Sequence, residues 1–159
     1  MAELDAIPLQ HLPLGRLLGI DYGEKRIGVA VSDPLQTIAS PLVTLFRRGP
    51  SLPIDEIITL VQEQAAVALI VGLPLHMDGR PGEKAEAALA YARSLAAAAT
   101  VPVFTLDERW TTTSAHKSLI ERGRHPSKER DRVDQIAAAF LVQAFLDRLA
   151  FCRRHPPES

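Results

Sequence analysis

Leu17-Leu-Gly-Ile-Asp21 and Arg26-Ile-Gly-Val-Ala-Val-Ser32 are two apolar runs separated by Tyr22-Gly-Glu-Lys25. Both runs are rich in Leu, Ile and Val, and the segment between them is turn-like, so the stretch reads as a β-hairpin. Pro41–Phe46 reads as a third strand with its proline at the start, where a missing N–H is tolerated. Ile54, Ile57, Ile58, Val61 and Ala65 then recur at helical spacing, with Ser51 as N-cap. Val67–Val71 is short and wholly apolar, the pattern of a strand buried on both faces. A polar loop from Leu73 to Gly82 leads into an alanine-rich helix, Glu83–Ala98, and a further apolar strand, Val101–Leu106. Thr111–Arg122 reads as a helix stopped near Gly123. In the last helix Val133, Ile136, Ala137, Phe140, Leu141, Ala144 and Phe145 form one stripe.

The order β-β-β-α-β-α-β-α-α predicts an α/β three-layer domain with a mixed five-stranded sheet flanked by helices. The first, fourth and fifth strands are joined through helices and should be parallel, with the hairpin adding antiparallel strands at one side. The domain is expected over residues 16–150. Pro8 and Pro13 interrupt one end and Arg153-Arg-His-Pro-Pro-Glu-Ser159 the other, so 1–15 and 151–159 are expected to be flexible tails.

The chain of 159 residues carries 18 Lys+Arg and 19 Asp+Glu, a net charge of -1, which disfavours a sequence-blind basic coat on DNA. Its single cysteine, Cys152, excludes a disulfide framework and a cysteine zinc site and suits a reducing cytosol. The longest apolar run, Ala65–Leu75, has 11 residues where a membrane span needs about 20, and the N-terminus has no signal-peptide pattern. The expectation is a cytoplasmic protein with no membrane partner.

In open α/β sheets ligands sit at the carboxyl ends of the parallel strands. Asp21, Gly72 and Asp107-Glu108-Arg109 leave three such ends, and Asp134 stands at the start of the last helix, which could cross the sheet and present it there. Converging carboxylates suit Mg²⁺ or Mn²⁺, hard ions with oxygen ligands. Two such ions about 3.5–4 Å apart catalyse phosphodiester hydrolysis. The same acids also have local uses: Asp21 in the turn, Glu108 paired with Arg109, and Asp134 as a first-turn acid. The 24 residues Arg109–Arg132 hold 7 of the 18 Lys+Arg and 3 acids, which suits either a phosphate backbone or a solvated face. Lys25 and Arg26 could touch phosphate or simply decorate the turn. His76, His116 and His125 lack metal-ligand spacing, Trp110 suits packing or base stacking, and Cys152 reads as an ordinary thiol.

Leu18-Gly-Ile-Asp-Tyr-Gly-Glu-Lys-Arg-Ile-Gly-Val-Ala-Val-Ser-Asp33 resembles the opening motif of the YqgF/RuvX family of ribonuclease H-like proteins. Val71-Gly-Leu-Pro-Leu-His-Met-Asp-Gly79, Asp107-Glu-Arg-Trp-Thr-Thr112 and Val133-Asp-Gln-Ile-Ala-Ala138 resemble its later blocks, in order. Glu24, His76, Arg80 and Trp110 depart from the usual pattern, and none of them replaces an acid. The resemblance implies a ribonuclease H-like fold and a divalent-metal-dependent nuclease, with Asp21, Glu108 and Asp134 as catalytic, metal-binding acids for Mg²⁺ or Mn²⁺, with two ions expected. Lys25, Arg26, Arg80, Arg109, Lys117, Arg124, Lys128, Arg130 and Arg132 are the expected nucleic-acid contacts. Two substrates fit the resemblance: the 5′ end of precursor 16S rRNA, ranked first, and a four-way DNA junction, which would call for a two-fold dimer. An actin-like ATPase also opens with a Gly-Ile-Asp-x-Gly hairpin but needs a second lobe for which this length leaves no room. A non-catalytic RNA-binding module would have no need of all three acids.

Overall fold

The computed structural model describes residues 8–49, 51–74, 82–108 and 127–156, with 127–131 as helical backbone alone. Strand β1 (Arg16–Asp21) pairs antiparallel with β2 (Arg26–Ser32), and β2 with β3 (Ala39–Phe46). Strand β4 (Ala66–Leu73) lies parallel to β1 on its other side, and β5 (Val103–Asp107) parallel to β4. The sheet order is therefore β3-β2-β1-β4-β5, the mixed five-stranded sheet expected. Helices α1 (Asp55–Gln64) and α2 (Glu83–Ala98) supply the crossovers, and α3 (Ser127–Arg154) covers the opposite face.

Strand alternation assigns each side chain to a layer. Leu18, Ile20, Ile27, Val29 and Val71 pack with Ile57 of α1 and with Tyr91 and Leu95 of α2. Leu17, Ala30, Ala68, Ile70, Phe104 and Leu106 pack with Ala138, Leu141, Val142, Phe145 and Leu149 of α3. The sheet residues under α3 include several small ones, which lets the helix lie close. At Gly19 a methyl group would collide with Cγ2 of Val142. The part of α3 from Arg132 to Arg154 is long and apolar enough to match a bilayer, yet its apolar stripe is covered by the sheet.

Several boundaries differ from the sequence expectation. Helix α1 begins at Asp55 without a side-chain cap, while Ser51 forms a bridge with Arg48; Asp55 and Glu56 instead complement the helix dipole. Strand β3 begins before Pro41 because β3 is an edge strand and the β2–β3 register shifts beside that proline. Helix α3 runs to Arg154, past residue 150, and stops short of Pro156. Residues 8–15 are not loose. Leu12 is buried, its carbonyl accepts from Nη2 of Arg153 at 2.9 Å, and Nε2 of Gln36 donates to the carbonyls of Pro13 and Gly15. The expected helix Thr111–Arg122 lies outside the described residues.

Candidate active site

One row of residues crosses the sheet at the carboxyl end of β1. Thr44 pairs with Gly28, and Gly28 with Asp21. Gly72 stands one residue beyond the Ile20–Val71 pair and is itself matched with Leu106. Asp21 shares its parity with Leu17 and Gly19, and Glu108 shares its own with Phe104 and Leu106, so both belong to the face under α3. Asp134 reaches that face from α3, about two turns into the helix. All three acids are buried: Asp21 is 5%, Glu108 8% and Asp134 3% exposed. Buried carboxylates are uncommon unless paired or bound to a cation.

Two glycines clear the floor of this site. A methyl at Gly28 would collide with the backbone carbonyl of Asp134, and one at Gly72 with Oε1 of Glu108. The glycines thus fix how close α3 comes and leave room for the Glu108 carboxylate. Asp134 Oδ2 accepts from Nε of Arg26 at 2.7 Å. The neighbouring Gln135 donates from Nε2 to Oγ1 of Thr44 at 3.1 Å, tying the same helical turn to β3. The donors are all carboxylate oxygens, which fits a hard divalent cation. Among the described residues no three potential ligands are gathered to hold one ion. Mg²⁺ commonly takes only one or two carboxylates, with waters and substrate phosphates completing its shell, so the donor set fits on those terms.

The expected phosphate contacts divide. Lys25 is exposed at the hairpin turn, Arg26 is turned in on Asp134, and Arg132 is exposed on α3. The side chains of Arg80, Arg109, Lys117, Arg124, Lys128 and Arg130 lie outside the described residues, as do His76, Trp110, His116 and His125. Two arginines that the sequence reading did not single out, Arg47 and Arg48, follow β3. Antiparallel pairing places Phe46 beside Arg26, so the residues after β3 arrive at the hairpin turn, where Arg47 N donates to the Lys25 carbonyl at 3.1 Å. Arg47 Nη1 also donates to the Tyr22 hydroxyl at 3.2 Å, with the guanidinium 5.6 Å from that ring's centre. Arg48 is exposed. The signal was available in the β2–β3 register but not in local composition. Asp33, which closes the opening motif, belongs elsewhere. At the other end of β2 it accepts from the backbone N–H of Thr37 and Ile38 and from the Thr37 hydroxyl, and these bonds lower its pKa to about 2.

Residues 15–148 match the family model RuvX, described as Holliday junction resolvase. A Roseiflexus sp. protein named "Putative pre-16S rRNA nuclease" is 40% identical over 133 residues, covering 84% of this chain and 94% of its own. One of the same name from Methylocella silvestris is 42% identical over 147 residues, covering 92% and 91%. Among solved structures, Thermus thermophilus RuvC in complex with a Holliday junction substrate superposes with a TM-score of 0.53 at 18% identity, over 86% of this chain and 96% of that one. The shared architecture is the ribonuclease H-like fold.

Proposed function

Because the chain belongs to the RuvX family and is a nuclease, a hydrolase of phosphodiester bonds, we propose that Asp21, Glu108 and Asp134 are its catalytic acids and that it trims precursor 16S rRNA at the 5′ end in the cytoplasm. The observation that carries the catalytic assignment is the convergence of these three buried acids, from β1, the end of β5 and α3, on one glycine-cleared edge of the sheet. The ranking of substrates follows the names of the relatives, which are identical to this chain at about two positions in five.

Nucleases of this kind depend on divalent metal, and we assign Mg²⁺ or Mn²⁺ to this centre. Asp21 lies between Asp134 and Glu108 along the sheet row, and these three acids are the residues that would hold the metal. When bound, divalent cations lower the pKa of water and stabilise the negative charge that develops at phosphorus and on the leaving oxygen. The chain supplies the rest. Burial keeps the three carboxylates in fixed positions, so their geometry need not reorganise during the reaction. Gly28 and Gly72 keep side chains out of the space above the sheet. Lys25, Arg48 and Arg132 offer exposed cations for flanking phosphates, contacts that position a strand without reading its sequence.

The second reading, cleavage of a four-way DNA junction, is favoured by the description of the matching family. Symmetric incision would need a two-fold dimer. One assay separates the two. Structured precursor rRNA and a synthetic four-way junction are each presented with Mg²⁺ and with Mn²⁺, with Asp21→Asn in parallel. The rRNA reading expects cutting of the RNA at the mature 5′ end, loss of cutting in Asp21→Asn, and little junction incision. Equal cutting of both substrates removes the ranking. Cutting by Asp21→Asn at the wild-type rate removes the site.

A further inference from the structure

Arg26 places a positive charge on a catalytic acid. Its Nε donates to Oδ2 of Asp134 at 2.7 Å, with the two side chains 23% and 5% exposed. The partners lie 108 positions apart, on β2 and α3, so the contact is a product of tertiary packing. A buried carboxylate must be matched by a cation, and here the guanidinium is one. We propose that Arg26 is a built-in counterion: it holds Asp134 while the centre lacks its divalent ion, and surrenders the carboxylate when the ion arrives. The inference rests on Asp134 being an acid that holds metal.

The two partners differ in their freedom to move. Asp134 is fixed through its backbone, which rests on Gly28, and through Gln135 bonded to Thr44. Arg26 stands at the first residue of β2, on a long flexible stem, beside exposed Lys25. The arginine is therefore the partner that leaves, and it leaves toward the rim at the hairpin turn, where Lys25 is exposed. A guanidinium stays charged at any working pH, so the exchange is a competition between two cations rather than a titration. Once released, Arg26 adds a charge to that rim, where a substrate phosphate can take it. Metal and nucleic acid then each favour the state that binds the other, a reciprocity required by linkage. Arg26 is thus a positioning residue that tunes how tightly the acids take their ion.

The test is a Mn²⁺ titration of the full chain without nucleic acid, with free Mn²⁺ read by electron paramagnetic resonance. Wild type, Arg26→Gln, Asp134→Asn and the double variant are compared, and thermal unfolding is followed in EDTA and in saturating Mn²⁺. The expected result is Mn²⁺ binding about tenfold tighter in Arg26→Gln than in wild type, because the competitor is gone. That gain should largely vanish in the Asp134→Asn background. In EDTA, Arg26→Gln should melt below wild type, and Mn²⁺ should close the gap. Arg26→Lys keeps the charge without the Nε donor and should fall between wild type and the Gln variant, which preserves the test if the latter folds poorly. Unchanged or weaker binding in Arg26→Gln overturns the proposal, since a merely structural arginine would support the site. Equal tightening in both backgrounds also overturns it, because that marks general charge repulsion. Wild type that binds no Mn²⁺ at all defeats the metal assignment and this inference together, whereas normal wild-type binding with an unmoved Arg26→Gln defeats the inference alone.

Discussion

Alanine at Gly28 tests the geometry of the site more sharply than removal of an acid. The new methyl would meet the carbonyl oxygen of Asp134, with the Asp134 Cβ at 3.0 Å. The obstacle is helix backbone, which has no rotamer to adopt, so α3 must retreat on the order of 1 Å to restore van der Waals contact. Overpacking of this kind costs about 1–3 kcal/mol of stability. A displacement of about 1 Å at a catalytic group lowers turnover by about 100-fold. Gly19→Ala is the comparison: its methyl also lies under α3 but collides with a side-chain methyl of Val142, with the Ala138 carbonyl oxygen at 3.3 Å, a turn beyond Asp134. It should lose similar stability and retain turnover within severalfold. Gly72→Ala completes the set, because its methyl meets Oε1 of Glu108, a side-chain atom rather than helix backbone. There a carboxylate is displaced instead of the helix, so stability should fall by less than in Gly28→Ala while turnover falls as far. Urea unfolding and single-turnover cleavage of structured RNA, both with saturating Mn²⁺, measure the two quantities. Gly28→Ala that is destabilised like Gly19→Ala but cuts at the wild-type rate would refute the reasoning, since Asp134 would have moved without consequence.

Three further outcomes are expected. The hydrogen bonds from Ile38 and Thr37 hold Asp33 at about 2, below its value of about 3.9 in the unfolded chain. Its contribution is therefore complete above the unfolded value and is lost as pH falls through the folded one, so the stability gap between wild type and Asp33→Asn should narrow as urea unfolding moves from pH 5 to pH 2. Replacing Lys25 and Arg48 together by Ala should weaken RNA binding and lower the slope of log affinity against log salt by about 1 for each phosphate no longer neutralised; an unchanged slope would exclude them from the interface. The Tyr91 hydroxyl donates to the carbonyl of Pro53 at 2.8 Å in a buried setting, so Tyr91→Phe should cost about 1–3 kcal/mol in chemical denaturation and leave turnover intact.

The elements, and which strands run parallel, were legible because period-two and helical patterns are local and the β-α-β connections set strand direction. Leu17-Leu-Gly-Ile-Asp21 already states that Asp21 falls on the same face as Leu17 and Gly19, and Glu83–Ala98 carries its helix throughout. Boundaries were less legible where packing overrides local preference. Ser51 is a good cap by type, yet α1 starts at Asp55. Pro41 marks a strand start by type, yet an edge position and a register shift carry β3 past it. Residues 8–15 look like a loose tail, but their order comes from Gln36 and Arg153, far away in the chain.

The candidate site divides along the same line. The residue types of its three acids, and the positions of Asp21 and Glu108 at strand ends, could be read from the chain, because the carboxyl ends of parallel strands are fixed once the β-α-β order is known. What holds those acids could not. The arrival of Arg47 and Arg48 beside Lys25 needs the β2–β3 register, and the pairing of Arg26 with Asp134 needs α3 to cross β2 over Gly28. A sequence states which side of an element a residue occupies, since that follows from backbone periodicity. It does not state which charge meets which, since that depends on a helix crossing a sheet at a distance set by the smallest residues between them.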